Sequence, residues 1–261
     1  MQKLLSSIKE IAKEAGQEIL KVYKSDDFDT QLKSDNSPLT KADINAHNLI
    51  VSKLKSLTPD IPILSEESKG ISYAERSKWI KFWLVDPLDG TREFVNHRDE
   101  FTVNIALIKN NKPILGVVYL PVLNKTYSAA AGLGAFLGDK PIKTNSKLTE
   151  PLKILASKSH LSSETKILLD KIKKDYQVEI LNKGSALKLC YVADGQADYY
   201  PRLGPTMEWD TAAAQAIVEQ AGGLVTTIDA EPLSYNKENL LNPFFIVASS
   251  AMADVWPKYL N

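Results

Sequence analysis

Asp86 and Asp89 stand on either side of Pro87-Leu88 and run straight into Gly90, Thr91, Arg92, Glu93 and Phe94. With proline between them the two acidic side chains can point the same way, and like charges held that close stay ionised only when a cation sits between them. A hard ion suits these donors. Magnesium takes oxygen ligands in an octahedron, keeps several waters, and is held by one or two carboxylates together with substrate phosphate. The carbonyl of Leu88 can join them, because an apolar side chain there leaves only main chain facing the ion. Gly90-Thr91 lets backbone N–H groups approach a phosphate at the start of the next segment, where a helix dipole favours an anion. Together these residues are equipped for metal-assisted hydrolysis of a phosphate ester.

The segment that delivers them is residues 81–85, aromatic and β-branched and too short for a helix. It reads as a buried strand ending at Pro87, with the acidic pair on a turn at its carboxyl end. Asp-Pro or Asp-Gly alone is an ordinary turn dipeptide, so the weight lies on the whole string and its flanking strand. An EF-hand calcium loop is excluded by spacing: counting from Asp86, the third residue is Leu88 and the twelfth His97, where carboxylates are required.

Other elements must hold this string in place. Leu4, Ile8, Ile11, Ala15, Ile19 and Val22 recur at helical spacing and mark an amphipathic first helix. Residues 25–37 are polar and aspartate-rich, and read as a mobile loop. Thr40, followed by Asp43, has the form of a capping box opening a helix through about Leu57. Residues 61–64 form a short apolar strand delivered into Ser65-Glu66-Glu67-Ser68. Beyond the central string, residues 101–108 and 113–120 are β-rich and joined by a hairpin turn through Asn110-Asn111, and 127–130 and 132–136 extend the meander. Residues 140–152, with Pro141, Pro151 and no periodicity, are the candidate boundary between a domain spanning 1–149 and one spanning 150–261.

The second part alternates: strands at 153–156, 178–181 and 197–202, helices at 163–174, 186–193 and 211–221, the last closed by Gly222-Gly223, then strands at 224–228 and 245–248. This predicts an α+β part packed on an α/β part, layers of helix and sheet alternating.

At 261 residues, 25% charged and 44% apolar, the composition is that of a globular protein with a sizeable core. Thirty-two basic residues balance 32 acidic ones, which argues against binding a nucleic-acid polymer and makes any phosphate affinity local. Cys190 is the single cysteine, so no internal disulfide forms; it suits a reducing compartment and, in its apolar setting, reads as a core thiol. Lys3, Lys9 and Glu10 interrupt the N-terminal apolar residues, so no signal-peptide core is present. No uncharged run is long enough for a transmembrane helix. The expected location is the cytoplasm, with peripheral attachment to the cytoplasmic face of the membrane left open, and the expected state a monomer or homodimer.

Asp86-Pro87-Leu88-Asp89-Gly90-Thr91 resembles the Asp-Pro-x-Asp-Gly-Thr signature of the inositol monophosphatase superfamily, which comprises magnesium-dependent, lithium-sensitive phosphatases. Its continuation Arg92-Glu93-Phe94 resembles the 3'(2'),5'-bisphosphate nucleotidase subtype, whereas inositol monophosphatases usually continue Thr-Asn-Phe. Trp209-Asp210-Thr211-Ala212-Ala213-Ala214, through Ala221-Gly222-Gly223, resembles the second signature of the superfamily; taken alone, Asp210 would read as a helix N-cap. The likeness runs from about Thr40 to Ala248.

This resemblance implies a five-layer αβαβα sandwich with the site between the halves. It implies two or three Mg2+ ions: one held by Glu66, Asp86 and the Leu88 carbonyl, another by Asp86, Asp89 and Asp210, a third more loosely near Glu66, with Glu67 in support. Glu66, Thr91 and Asp43 are the implied catalytic residues, Asp43 orienting the Thr91 hydroxyl toward the attacking water. As a bare sequence feature, Asp43 reads equally as a helix cap. The N–H groups of Gly90 and Thr91 would hold phosphate oxygens.

Ser157-Lys158-Ser159-His160, Gly184-Ser185-Ala186-Leu187-Lys188 and Tyr200-Pro201-Arg202 resemble the positions where bisphosphate nucleotidases bind the phosphate that is not cleaved. His160, Ser185, Lys188, Arg202 and Asp210 are therefore the implied substrate contacts, and Lys188 and Arg202 supply the positive charge that a second phosphate needs. Alone, these are equally exposed charges and a loop histidine. The expected reaction removes the 3'-phosphate of adenosine 3',5'-bisphosphate to give AMP and phosphate, a step of sulfur assimilation and nucleotide recycling. Two alternatives stay open: an inositol monophosphatase or sugar bisphosphatase, and a metal-binding regulator without turnover, against which the complete set of ligands with Thr91 argues.

Overall fold

The computed structural model describes residues 1–25, 28–32, 38–68, 70–156 and 162–260. His160 and the Ser157-Lys158-Ser159 before it lie outside the described residues, as do 26–27 and 33–37 of the polar stretch after the first helix.

The chain begins with α1 (Gln2–Ser25), whose Leu5, Ile8, Ile11, Ala15, Ile19 and Val22 form the buried stripe that the spacing demands. After β1 (Gln31–Leu32) and β2 (Pro38–Leu39), which pair antiparallel, comes α2 (Lys41–Leu57). Its N-cap is Thr40, and the Asp43 carboxylate returns to the Thr40 main-chain N–H at 2.7 Å, so the capping box is formed.

These two helices cover one face of a seven-stranded sheet of order β3-β4-β5-β6-β7-β8-β9. Its strands are β3 (Ile63–Ser65), β4 (Lys81–Asp89), β5 (Thr102–Lys109), β6 (Lys112–Leu120), β7 (Lys125–Ala130), β8 (Gly134–Leu137) and β9 (Lys140–Ile142). Between them lie the short helices α3 (Tyr73–Arg76) and α4 (Thr91–Val95). Strand alternation splits the apolar residues between two cores: Trp83, Val85, Val103, Ile105, Leu107 and Val117 meet α1 and α2, while Phe82, Leu84, Ala106, Ile108 and Val118 face the other way. Burial on both faces is why these strands read as continuous apolar runs. Asn110 and Asn111, both with positive φ (50° and 62°), make the hairpin turn between β5 and β6.

The middle layer is α6 (Leu187–Ala193) and α7 (Glu208–Gln220). Its small residues Ala212, Ala213 and Ala214 let α7 lie so close to β6 that a β-carbon at Gly116 would overlap the carbonyl of Ala213. Beyond it is a five-stranded sheet of order β11-β10-β12-β14-β13, comprising β10 (Leu152–Ala156), β11 (Val178–Asn182), β12 (Tyr199–Arg202), β13 (Leu224–Thr227) and β14 (Phe245–Ala248). Phe245 and Val247 point to the middle layer, Ile246 and Ala248 to the outer one. The outer layer is α5 (Ser163–Ile172) with the 3-10 turn at Trp256–Tyr259, which bury Leu168, Leu169, Ile172 and Trp256 against that sheet. Helix, sheet, helix, sheet, helix is the five-layer αβαβα sandwich. Cys190 lies in its middle, fully buried, where burial raises its thiol well above the ordinary value.

The structure corrects the sequence reading at several points. β4 does not end at Pro87 but continues to Asp89 across an irregularity in its pairing with β5. Residues 140–142 are not connection but the edge strand β9, which leaves 143–151 as the passage from one sheet to the other. Helix α7 opens at Glu208, earlier than the expected 211, because Met207 rather than Asp210 is its N-cap. No helix among the described residues is long and apolar enough to cross a membrane.

Candidate active site

The register of β4 against β5 explains how one short string presents two carboxylates. Asp86 pairs with Asn104, the register slips across Pro87-Leu88, and Asp89 pairs with Thr102. Proline is tolerated at such a slip because the ladder needs no N–H there. The N–H of Leu88 instead donates to Asp86 Oδ1 at 3.1 Å and closes the bulge. Gly90, at φ 93° and ψ 39°, then turns the chain into α4 through a left-handed conformation that a side chain would strain.

Asp210 comes to the same point from the other half of the chain. It is the third residue of α7, and its Oδ2 accepts the N–H of Met207 at 2.8 Å. One carboxylate oxygen from each of Asp86, Asp89 and Asp210 lies within 4.8 Å of the others, Asp86 buried and the other two half-buried. Glu66 follows β3, is pinned beside β4 by its N–H donating to Val85 O at 3.0 Å, and places its carboxyl against Asp86.

Crowding and burial show in the acidities. Burial first, then the charges of Glu66, Asp89 and Asp210, push Asp86 well above the usual carboxylate range. Asp210 is raised to about 8, by burial and then by the charge of Asp89. Asp89 rises only to about 6, because the Lys188 ammonium and the Ala186 N–H offset its burial. A cluster of hard oxygen donors that resists ionising on its own fits a hard divalent cation.

The Thr91 hydroxyl lies 3.2 Å from Asp43 Oδ1 and 3.2 Å from the Leu88 carbonyl. The other oxygen of Asp43 accepts from Thr40 N at 2.7 Å and Thr40 Oγ1 at 2.6 Å. Asp43 is therefore helix cap and Thr91 partner at once; the two readings of the sequence are not alternatives.

Asp89, Gly90, Glu93 and Asp210 line a cleft together with Ser185, Lys188, Tyr200 and Arg202. Ser185 has a positive φ of 46°. Its carbonyl accepts from the Lys188 ammonium at 2.8 Å, and that ammonium lies 5.6 Å from the Tyr200 ring centroid. The guanidinium of Arg202 donates to Pro205 O at 2.8 Å, and its Nε is buried without a partner among the described residues. Two carboxylates from the seven-stranded side hold this loop: Glu100 accepts from Gly184 N at 2.9 Å and Lys183 Nζ at 3.1 Å, and Asp89 Oδ2 accepts from Ala186 N at 2.5 Å.

Glu100, Asn104, Lys183 and the Ala186 N–H escaped the sequence reading, and Tyr200 entered it only as the neighbour of Arg202. Asn104 was findable, a lone amide inside the apolar run of β5; its Nδ2 donates to Asp89 Oδ2 at 3.3 Å. The others act through tertiary contacts that no local pattern announces.

The profile of the Inositol monophosphatase family matches residues 1–254. The chain is 45% identical over 249 residues to the 3'(2'),5'-bisphosphate nucleotidase CysQ of Escherichia coli K12, covering 94% of this chain and 99% of that protein. It is 37% identical over 258 residues to the CysQ nucleotidase of Haemophilus influenzae, covering 96% and 94%. Among solved structures, CysQ from Bacteroides thetaiotaomicron superposes with a TM-score of 0.85 at 42% identity, over 96% of this chain and 98% of that one. An inositol monophosphatase from Thermotoga maritima superposes at 0.82 with 27% identity, over 100% and 97%.

Proposed function

The chain belongs to the inositol monophosphatase family, and we propose that it removes the 3'-phosphate of adenosine 3',5'-bisphosphate, giving AMP and phosphate, as a 3'(2'),5'-bisphosphate nucleotidase. The observation that carries this reading is the cleft itself: Asp89 and Asp210, of the cluster of three carboxylates, line it together with Lys188 and Arg202. The carboxylate cluster suits the phosphate that is cleaved, the two cations a phosphate that is not. The high identity to curated nucleotidases over nearly the whole chain supports the same assignment.

In this reading Asp86, Asp89 and Asp210 would hold one Mg2+, and Glu66, Asp86 and the Leu88 carbonyl would hold another, with a third held more loosely near Glu66. When bound, such ions neutralise phosphoryl charge and acidify water. Asp43 keeps Thr91 turned toward the cluster and takes up the proton that the Thr91 hydroxyl relays from the attacking water. The N–H groups of Gly90 and Thr91 bind phosphate oxygens. Lys188 and Arg202 hold the remote 5'-phosphate, with Ser185 beside them.

The test is phosphate release in magnesium from adenosine 3',5'-bisphosphate, inositol 1-phosphate and fructose 1,6-bisphosphate. The bisphosphate nucleotide is expected to be turned over with the highest kcat/KM. Preference for inositol 1-phosphate or fructose 1,6-bisphosphate overturns the nucleotidase assignment, and release from none of them leaves a metal-binding protein without turnover.

A further inference from the structure

The carboxylates of the site arrive from both halves of the chain and repel one another, so something must hold the two deliveries in register. Glu66 begins the connection from β3 to β4, and Arg76 lies near its end in α3. Asp210 is the third residue of α7, and Glu208 is the first. Both Glu208 and Arg76 are buried, 0% and 3% exposed, and among the described residues neither hydrogen-bonds to Glu66, Asp86, Asp89 or Asp210. Instead they meet on one segment. Glu208 accepts from Asn236 N at 2.6 Å, Lys237 N at 2.9 Å and the Lys237 ammonium at 2.6 Å. The Arg76 guanidinium donates to Asn236 Oδ1 at 3.1 Å and to the carbonyls of Lys237 at 2.5 Å and Glu238 at 2.7 Å, and Asn236 Nδ2 returns to Arg76 O at 2.6 Å. The segment then closes over the start of α7: Glu208 N donates to Leu240 O at 3.0 Å and Asn242 Nδ2 to Met207 O at 2.8 Å.

We infer that Glu208 and Arg76 are positioning residues for the metal site, a buried ionic clamp through Asn236 and Lys237 that fixes the Asp210 end of α7 against the β3–β4 connection carrying Glu66. Buried charges contribute little net stability compared with apolar residues of the same shape, so stability alone is a poor reason for burying Glu208 and Arg76. Geometry is a better one. Arg76 uses its planar fork on two successive carbonyls, which fixes the direction as well as the distance of the segment it grips. Groups that orient metal ligands from behind commonly govern metal affinity by about tenfold to a hundredfold.

This inference rests on the metal site proposed above, but its test does not need turnover. Metal-stripped wild type, Glu208→Gln and Arg76→Lys are titrated with Mn2+ by calorimetry, with thermal unfolding measured on the same samples. Leu168→Ala, on the buried face of α5 in the outer layer and in a different core cluster from the clamp, serves as the destabilised control. Both clamp variants are expected to bind Mn2+ about tenfold or more weakly, while Leu168→Ala lowers Tm and leaves the Mn2+ affinity unchanged. The lysine variant keeps the charge and loses the fork, so it remains informative where the glutamine variant fails to fold. Clamp variants that lose Tm but bind Mn2+ like wild type overturn the inference. Wild type that binds Mn2+ and releases no phosphate overturns the function and leaves the clamp standing on its binding data.

Discussion

The carboxylate of Asp89 accepts the main-chain N–H of Ala186 at 2.5 Å, so one hydrogen bond joins the acidic cluster to the loop that carries Ser185 and leads into Lys188. The acidic cluster and the Ser185–Lys188 segment of the cleft are thus built on a shared group.

Asp89→Asn separates the two roles of that side chain. The amide oxygen can still accept from Ala186, so the loop keeps its anchor, but a charge needed to hold the cation is gone. Turnover is expected to fall at least roughly a hundredfold, the scale of losing one preorganised charge or donor at a reacting phosphate. Removing one of several crowded carboxylates also relieves repulsion, so Tm measured in a chelator should hold or rise. Wild-type turnover in this variant would take Asp89 out of the metal site.

The acidities predict how metal-free stability depends on pH. Asp210, raised to about 8, and Asp89, raised to about 6, keep protons in the folded chain that the unfolded chain has already released. The folded state therefore binds more protons, and unfolding free energy falls as pH rises. Their contribution is fully present below about pH 4, the ordinary carboxylate range, and is lost on passing about 6 and then about 8. Tm in chelator should fall between pH 5 and pH 9, and millimolar Mg2+ should reverse most of the loss at the upper end by replacing protons as the counter-charge. A chelated protein whose Tm is flat across this range would show that the cluster ionises freely.

Much of this architecture was legible in the sequence, for physical reasons. Strands buried on both faces must be apolar throughout, which is why β4, β5 and β6 announced themselves, and Thr40-to-Asp43 fixed the start of α2 through its own side chains. Boundaries set by non-local contacts were not legible. The passage of β4 beyond Pro87 depends on Thr102 being there to pair with Asp89, and the start of α7 depends on Asp210 reaching back to Met207. Asp86 and Asp89 were read as a cation-binding pair from their spacing and Asp210 from motif resemblance, whereas Glu100, which grips the Gly184 N–H and Lys183, has no local mark at all. A half-buried glutamate reveals its partner only once the two sheets are stacked.

Thr91 and Asp43 test the proton path. Thr91→Val removes the hydroxyl that lies 3.2 Å from Asp43, at nearly constant volume, and should lower kcat by roughly a hundredfold to ten-thousandfold, as loss of an acid–base group does. Thr91→Ser keeps the hydroxyl and should keep most of the rate. Asp43→Asn should behave like Thr91→Val in rate but also lower stability by about 1 kcal/mol, because it weakens the cap on α2 that Thr91 does not share. A Thr91→Val enzyme with unchanged kcat would exclude Thr91 from the proton path.

Lys188 tests substrate choice. Lys188 lies in the cleft wall with its ammonium 5.6 Å from the Tyr200 ring centroid and bonded to Ser185 O at 2.8 Å, and its charge holds the pKa of Asp89 down. If it holds the 5'-phosphate, that contact is remote from the bond being broken, so its loss weakens capture more than chemistry. A charge-assisted hydrogen bond is worth about 1.5 to 3 kcal/mol, which predicts a fall of about tenfold to a hundredfold in kcat/KM for adenosine 3',5'-bisphosphate on Lys188→Ala. Adenosine 3'-monophosphate offers Lys188 no phosphate, so its smaller loss should come only through Asp89 and shrink as Mg2+ is raised to saturation. The measurement is kcat/KM for both nucleotides, wild type against variant, at limiting and saturating Mg2+. Equal losses on the two substrates at saturating metal would make Lys188 a support for Ser185 and Asp89 rather than a phosphate contact, and would move the second phosphate to Arg202 alone.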